Sequence, residues 1–434
     1  AKAFGRHVRS GFGGSSVYLP RSREAVEHMS IVRVTPPRLR TLEHEERRAT
    51  WLELFYDLAY VVAVAVLAER LLHDMTGVVA FLGYFGLLWW LWASHTYYAD
   101  RYDTDDLVYR LLAAGQMVAI VVIASALSGA TESTVAFAWG YAVARWVLVI
   151  MYWRAYRYVI ETRGLVRGYL LGFGLAAVVW TISALVPEQA RVVAWVVALC
   201  IDLATPWIMR REQARVPLDV SHLPERFGLF TILVLGEAIA ALVAGLAHAA
   251  WSFPHAATAA VGIGIATSVW WMYFDNASGS VVRRSAAVQR TWRPTAWIYT
   301  HFLLAAALAA LGVGLEVAVA EAGGEPMPGA ARWLLIGSVA TAFGSMALIQ
   351  LAAVASEGGP QSARVGINRL AGIPFLLGIG LFSGLEPQWL TLAVFVVCVA
   401  EVLADWRARP VPIDSGLGTP RIEERLDEEG QTSI

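Results

Sequence analysis

Twelve apolar stretches, each of about 20 residues and separated by short polar joints, run from Thr50 to Trp406. A stretch of that length spans the roughly 30 Å of a bilayer's hydrocarbon core as an α-helix. No other regular structure except a closed barrel satisfies its backbone there. The expected spans are 51–72, 78–98, 108–128, 135–154, 168–186 and 191–209, then 225–248, 256–276, 295–319, 331–354, 369–384 and 388–406. The fold class is therefore all-α, a polytopic transmembrane bundle. Composition agrees: 57% of residues are hydrophobic and 16% charged, with a mean hydropathy of +0.53, too apolar for a water-soluble surface.

The basic residues test the number of spans independently. Short cytoplasmic loops collect Lys and Arg. With the N-terminus inside, all but four of the 34 Lys and Arg fall in inner segments. The exceptions are Arg70, Arg191 and Arg332 in outer loops and Arg145 within the fourth span. Both termini are expected in the cytoplasm, the membrane being the inner membrane of a bacterium. Lys2 is the only lysine, the codon bias of a GC-rich genome. No Walker-type Gly-x-x-x-x-Gly-Lys segment is present, which excludes ATP-driven pumping within this chain. The formal charge of -1 gives no footing for nucleic acid. Cys200 and Cys398 both lie in apolar runs, so they build neither a disulfide framework nor a zinc site.

The polar segments set the organisation. Residues 1–48 form a basic arm, expected to be largely disordered, with Met29 an alternative start. Residues 49–210 form a first six-helix half, 211–224 a cytoplasmic linker, 225–407 a second half and 408–434 a polar tail. A shift of 180 lays Leu54-Phe55-Tyr56-Asp57 on Val234-Leu235-Gly236-Glu237, and a shift of 181 lays Trp89-Trp90 on Trp270-Trp271. Two six-helix repeats account for this. An even number of helices makes them parallel repeats about an axis along the membrane normal.

Three segments resemble a known family. Thr50-Trp51-Leu52-Glu53-Leu54-Phe55-Tyr56-Asp57-Leu58 is similar to the opening signature of the bacterial low temperature requirement A proteins. Glu225-Arg226-Phe227-Gly228-Leu229-Phe230-Thr231-Ile232-Leu233-Val234-Leu235-Gly236-Glu237 resembles that family's central motif, and Trp270-Trp271-Met272-Tyr273-Phe274-Asp275 its next block. The likeness covers roughly residues 48–407. It implies a polytopic inner-membrane protein linked by name to growth in the cold. It implies no activity and carries over no site residue.

Candidate functional residues follow from depth, because an ionisable group at mid-membrane is costly unless paired, neutralised or hydrated. At 1.5 Å per residue, Glu237 lies about 16 Å beyond Arg226, and Asp57 about 13 Å beyond Arg48. Asp202 sits between Arg191 and Arg210, and Arg145 is the one guanidinium at comparable depth. Three carboxylates against one guanidinium demand protons, a bound cation or water. Arg145 and Asp202 also read as an ion pair between helices. Equivalent positions in the two halves place Asp57 and Glu237 together near the repeat axis. Glu53 fits a capping box with Thr50, and it shares a helix face with Asp57 as the mouth of a path. Trp89, Trp270, His95 and His301 are candidates to line a cavity. No histidine has a second ligand at metal spacing, so neither a metal nor a cofactor is expected. The loop Asp100–Asp106 reads as solvated.

These features favour a secondary transporter or ion-permeable carrier whose buried carboxylates exchange protons or cations. Its partners would be membrane lipids and a small solute or ion, with a homo-oligomer left open and nucleic acid excluded. The alternatives are an integral membrane enzyme acting on lipid or isoprenoid substrates, or a membrane stress or scaffold protein.

Overall fold

The computed structural model describes residues 35–39, 49–128, 133–216, 222–249, 251–276, 292–357 and 360–408. Most of the basic arm, part of the linker and the tail lie outside these residues. Among the described residues, twelve helices are long and apolar enough to cross a membrane. They are α1 (Trp51–His73), α2 (Val78–Arg101), α3 (Leu107–Leu127), α4 (Thr134–Tyr158), α5 (Arg163–Leu185) and α6 (Glu188–Ile208). The series continues with α7 (His222–His248), α8 (Phe253–Asn276), α9 (Trp292–Ala320), α10 (Gly329–Glu357), α11 (Pro360–Leu381) and α12 (Pro387–Arg407). Each expected span falls on one of them, α11 beginning earlier than its apolar run.

Local chemistry sets several helix starts. Thr50 caps α1 by accepting from the Glu53 amide, and Glu53 returns to accept from the Thr50 amide at 2.7 Å. Asp106 and Ser133 cap α3 and α4 through the amides of Tyr109 and Ala136. One short ladder joins the two residues of β1 (Arg38–Leu39) to those of β2 (Tyr102–Asp103), antiparallel, on the face where α1 begins. We call this the entry face and the opposite one the far face.

The bundle is built around α9. Of its central window 83% is buried, against 28% in peripheral α6. The reason is the Ala-Leu-Gly run from Leu304 to Gly314, which lets neighbours approach on every side. A Cβ on Gly312 would lie 3.2 Å from the Ala238 Cα on α7, and one on Gly314 would lie 2.8 Å from the Leu335 Cα on α10. Large apolar side chains on the outer helices, such as Leu111, Val118, Leu171 and Val193, point away from the bundle as lipid requires.

The same neighbours recur along the chain. α1 packs on α3, α3 on α4, α4 on α5 and α5 on α6; α7 packs on α9, α9 on α10, α10 on α11 and α11 on α12. The two sets meet where α1 and α2 pack against α7 and α9.

Gly314→Leu drives a side chain into the α10 backbone, an overpacking that costs about 1–3 kcal/mol. Thermal unfolding in detergent is expected to fall clearly for this variant, whereas Gly337→Leu, at a position with open space, leaves it unchanged.

Candidate functional site

On the entry side, α1 and α7 each present two charged or ionisable residues one turn apart, which places both on one helix face. Glu53 and Asp57 belong to α1; His222 and Arg226 belong to α7. The pairs meet. Arg226 Nη2 donates to Asp57 Oδ1 at 2.6 Å, and its Nη1 lies 3.3 Å from Glu53 Oε1. His222 Nε2 is 3.4 Å from Glu53 Oε2, while its Nδ1 is 3.2 Å from Asp100 Oδ1 at the end of α2. Trp92 Nε1 of α2 donates to Asp57 at 2.7 Å, and its ring stacks on Phe230 of α7 at 4.2 Å between centroids. All six side chains are buried, with Asp57, His222 and Arg226 at 0% exposure. Three carboxylates, Glu53, Asp57 and Asp100, thus share this buried site with the Arg226 guanidinium and the His222 imidazole.

Toward the far ends of the same helices lies a half-open cavity of about 590 Å³, lined by α1, α7 and α9. Its deepest carboxylate is Glu237, and its walls rise to Glu69, His73, His248 and Glu316 near the far ends of the three helices. Glu237 stands three turns, about 16 Å, above Arg226 along α7. Between the charged cluster and the cavity the stripes carry Val61 and Val64 on α1 and Phe230 and Val234 on α7, all buried. These apolar residues, with the Trp92 ring stacked on Phe230, occupy the positions along α1 and α7 between the charged cluster and the cavity.

The sequence-derived candidates are distributed as follows. Asp57 and Glu237 are not neighbours: Asp57 lies in the charged cluster and Glu237 on the cavity wall. The reason is that Arg226, counted among loop arginines, is folded inside the bundle and pairs with Asp57, leaving Glu237 a further three turns along. Glu53 caps α1 and also joins the cluster. Arg145 and Asp202 tie α4 to α6, with Nη2 2.6 Å from Oδ2 and both side chains fully buried.

His95 is enclosed by protein. Gln116 Nε2 donates to the Ala144 carbonyl at 3.0 Å, so its Oε1 is left to accept from Tyr56 and from His95 Nδ1 at 2.8 Å. His95 Nε2 then accepts from Tyr109, 3.3 Å away. His301 is held likewise, with Nδ1 2.7 Å from the Trp297 carbonyl and Nε2 3.1 Å from the Tyr273 hydroxyl. Trp89 packs against Tyr299 and Phe302, and Trp270, 44% exposed, packs on Phe274. None of these four lines the cavity between α1, α7 and α9. The reason is that its walls come from the far halves of those helices, where the side chains are mostly alanine. Among the described residues, no group of three or more His, Cys, Asp or Glu is placed to hold a metal ion.

The loop read as solvated is only partly so. Asp100 and Asp106 are 1% and 2% exposed. Arg154 Nη2 reaches Asp106 at 2.8 Å and the Thr35 carbonyl at 3.1 Å, which draws the loop onto the bundle. The residues that the sequence reading missed are Asp100, His222 and Arg226. The signal available for two of them was the His222/Arg226 spacing, which repeats the four-residue spacing of Glu53 and Asp57.

The sequence profile for the bacterial low temperature requirement A protein matches residues 48–404. The chain belongs to that family. The match takes in α1, α7 and α9 whole, hence both the charged cluster and the cavity. The chain is also similar to an uncharacterized protein of Rhizobium meliloti (strain 1021), 27% identical over 285 residues, which is 61% of this chain and 67% of the relative. No solved structure matches the chain. Family membership therefore leaves the function to be argued from the site.

Removing one partner of a buried ion pair costs about 3–5 kcal/mol, because the other charge stays buried and uncompensated. Arg226→Met is accordingly expected to lower thermal stability in detergent sharply. Combining it with Asp57→Asn is expected to recover much of the loss; additive losses would show that the two groups are not coupled.

Proposed function

We propose that this protein is a secondary transporter or ion-permeable carrier of a bacterial inner membrane. One observation carries the reading: a half-open cavity of about 590 Å³ between α1, α7 and α9 reaches Glu237, a carboxylate near mid-span with no partner among the described residues. A cavity that reaches an ionisable group at membrane depth is the arrangement a carrier requires. A scaffold has no use for a cavity that ends on Glu237.

The arginine distribution supports placing the entry face in the cytoplasm, with both termini on that side. On that reading the cavity is an outer vestibule, and the contacts of Glu53, Asp57, Asp100, His222 and Arg226 are the inner barrier. To expose Glu237 inward, α1 and α7 must part at their entry ends, breaking the Arg226–Asp57 contact. A proton or cation that neutralises Asp57 or Glu53 weakens that contact and so links ion uptake to opening. The recurring helix neighbours support two parallel six-helix repeats, with the vestibule at their junction.

The test is flux into sealed proteoliposomes under an imposed pH or cation gradient. The parent protein is expected to move protons or cations, and Glu237→Gln to abolish the movement while the protein remains folded. Asp57→Asn is expected to fold, since Glu53 still faces Arg226, and to change the coupling. A parent protein that moves nothing under any gradient contradicts the proposal.

A further inference from the structure

The vestibule also carries information about what enters it. Its walls hold three carboxylates, Glu69, Glu237 and Glu316, and two imidazoles, His73 and His248, but no guanidinium or ammonium group. Arg70, next to Glu69 in the chain, turns instead to the Tyr84 ring at 5.5 Å. Among the described residues, Glu237 has no hydrogen-bond or ion-pair partner. Glu316 has His248 Nδ1 at 3.8 Å, beyond hydrogen-bond reach. An anionic ligand would meet three carboxylates against two imidazoles near the rim, and a neutral one would leave Glu237 uncompensated at membrane depth.

The cation is not a bare metal ion. A hard metal needs six or more oxygen ligands in one place. Among the described residues, no group of three or more His, Cys, Asp or Glu is placed to hold one. Nor is the cation a quaternary ammonium, which is recognised by an aromatic cage. No aromatic ring of Phe, Tyr or Trp lines the cavity. Between the carboxylates the wall is methyl surface from Ala65, Ala68, Ala241, Ala244, Ala309 and Val313. At about 590 Å³ the cavity is of the size that holds an organic molecule.

We infer that the vestibule binds a small organic amine, its protonated N–H group donating to Glu237 and its apolar body lying on the alanine walls. The inference names the substrate class of the proposed carrier and rests on that reading. Charge-assisted hydrogen bonds to a carboxylate supply the attraction, and Glu69 and Glu316 at the rim supply an approach of the same sign. The ammonium belongs either to a free amine or to the head group of phosphatidylethanolamine, which shares its chemistry.

The experiment is calorimetric titration of the full-length protein in phosphatidylcholine nanodiscs with n-butylamine. Butan-1-ol, butyrate and tetraethylammonium serve as the neutral, anionic and quaternary comparators. Saturable binding of n-butylamine alone, weakened at least tenfold by Glu237→Gln, is expected. If that variant does not fold, Ala244→Leu, which fills the cavity without touching a charge, is expected to give the same loss. A second set of nanodiscs containing phosphatidylethanolamine separates the two sources, since weakened amine binding there identifies the lipid head group as occupant. Butan-1-ol or tetraethylammonium binding as tightly as the amine overturns the inference, as does amine binding indifferent to both variants or no saturable binding at millimolar amine. Flux measured on the same preparation keeps the two ideas apart. Amine bound but not transported sinks the carrier and keeps the site, whereas Glu237-dependent flux without amine binding does the reverse.

Discussion

The contact between the Arg226 guanidinium and the Asp57 carboxylate, sealed from water between α1 and α7, is the constraint on which the rest of the structure depends. Charges removed from water are held only by good geometry and further hydrogen bonds. Here those come from Glu53 and Trp92, with His222 and Asp100 extending the set to α2. The contact fixes the register of α1 against α7. Beyond it the same two helices carry buried Val64, Phe230 and Val234, which belong to one apolar core, and then the small residues that line the cavity.

The size of the cavity depends on α9. Its Ala-Leu-Gly run lets α7 and α10 come close enough that Gly312 and Gly314 have no room for a side chain. The far ends of α1 and α7 contribute alanines where larger residues would fill the space. Glu237 stands among those small side chains on the cavity wall, three turns beyond Arg226 along α7. A conformational change that parts α1 from α7 needs no rearrangement of the Arg145–Asp202 pair, which holds α4 to α6 at the periphery.

Twelve helices were legible in the sequence because a bilayer imposes one length and one polarity on every span, and because arginines alternate with them. The Thr50–Glu53 cap was legible because it is local. The partner of Asp57 was not. Arg226 lies 169 residues away and looks like any arginine at the start of a helix, so counting it as a loop residue was consistent with the charge rule. The sequence match of Asp57 with Glu237 placed them together, yet parallel repeats keep equivalent residues at one depth, so the three-turn offset removes that equivalence. Once Arg226 binds Asp57, Glu237 must stand three turns higher. His95, with one histidine-like polar group in an apolar run, gave no sign that Gln116, Tyr56 and Tyr109 would enclose it.

The most direct measurement of one-sided access is labelling of single cysteines by a membrane-impermeant maleimide added to either side of sealed vesicles. It is made in a background where Cys200 and Cys398 have been replaced by serine and alanine. Ala241→Cys in the cavity wall is expected to react from the far face only, and Val61→Cys in the apolar layer from neither face. Equal labelling of Ala241→Cys from both sides, or labelling of Val61→Cys from the entry face, would contradict a vestibule closed by the Arg226–Asp57 contact.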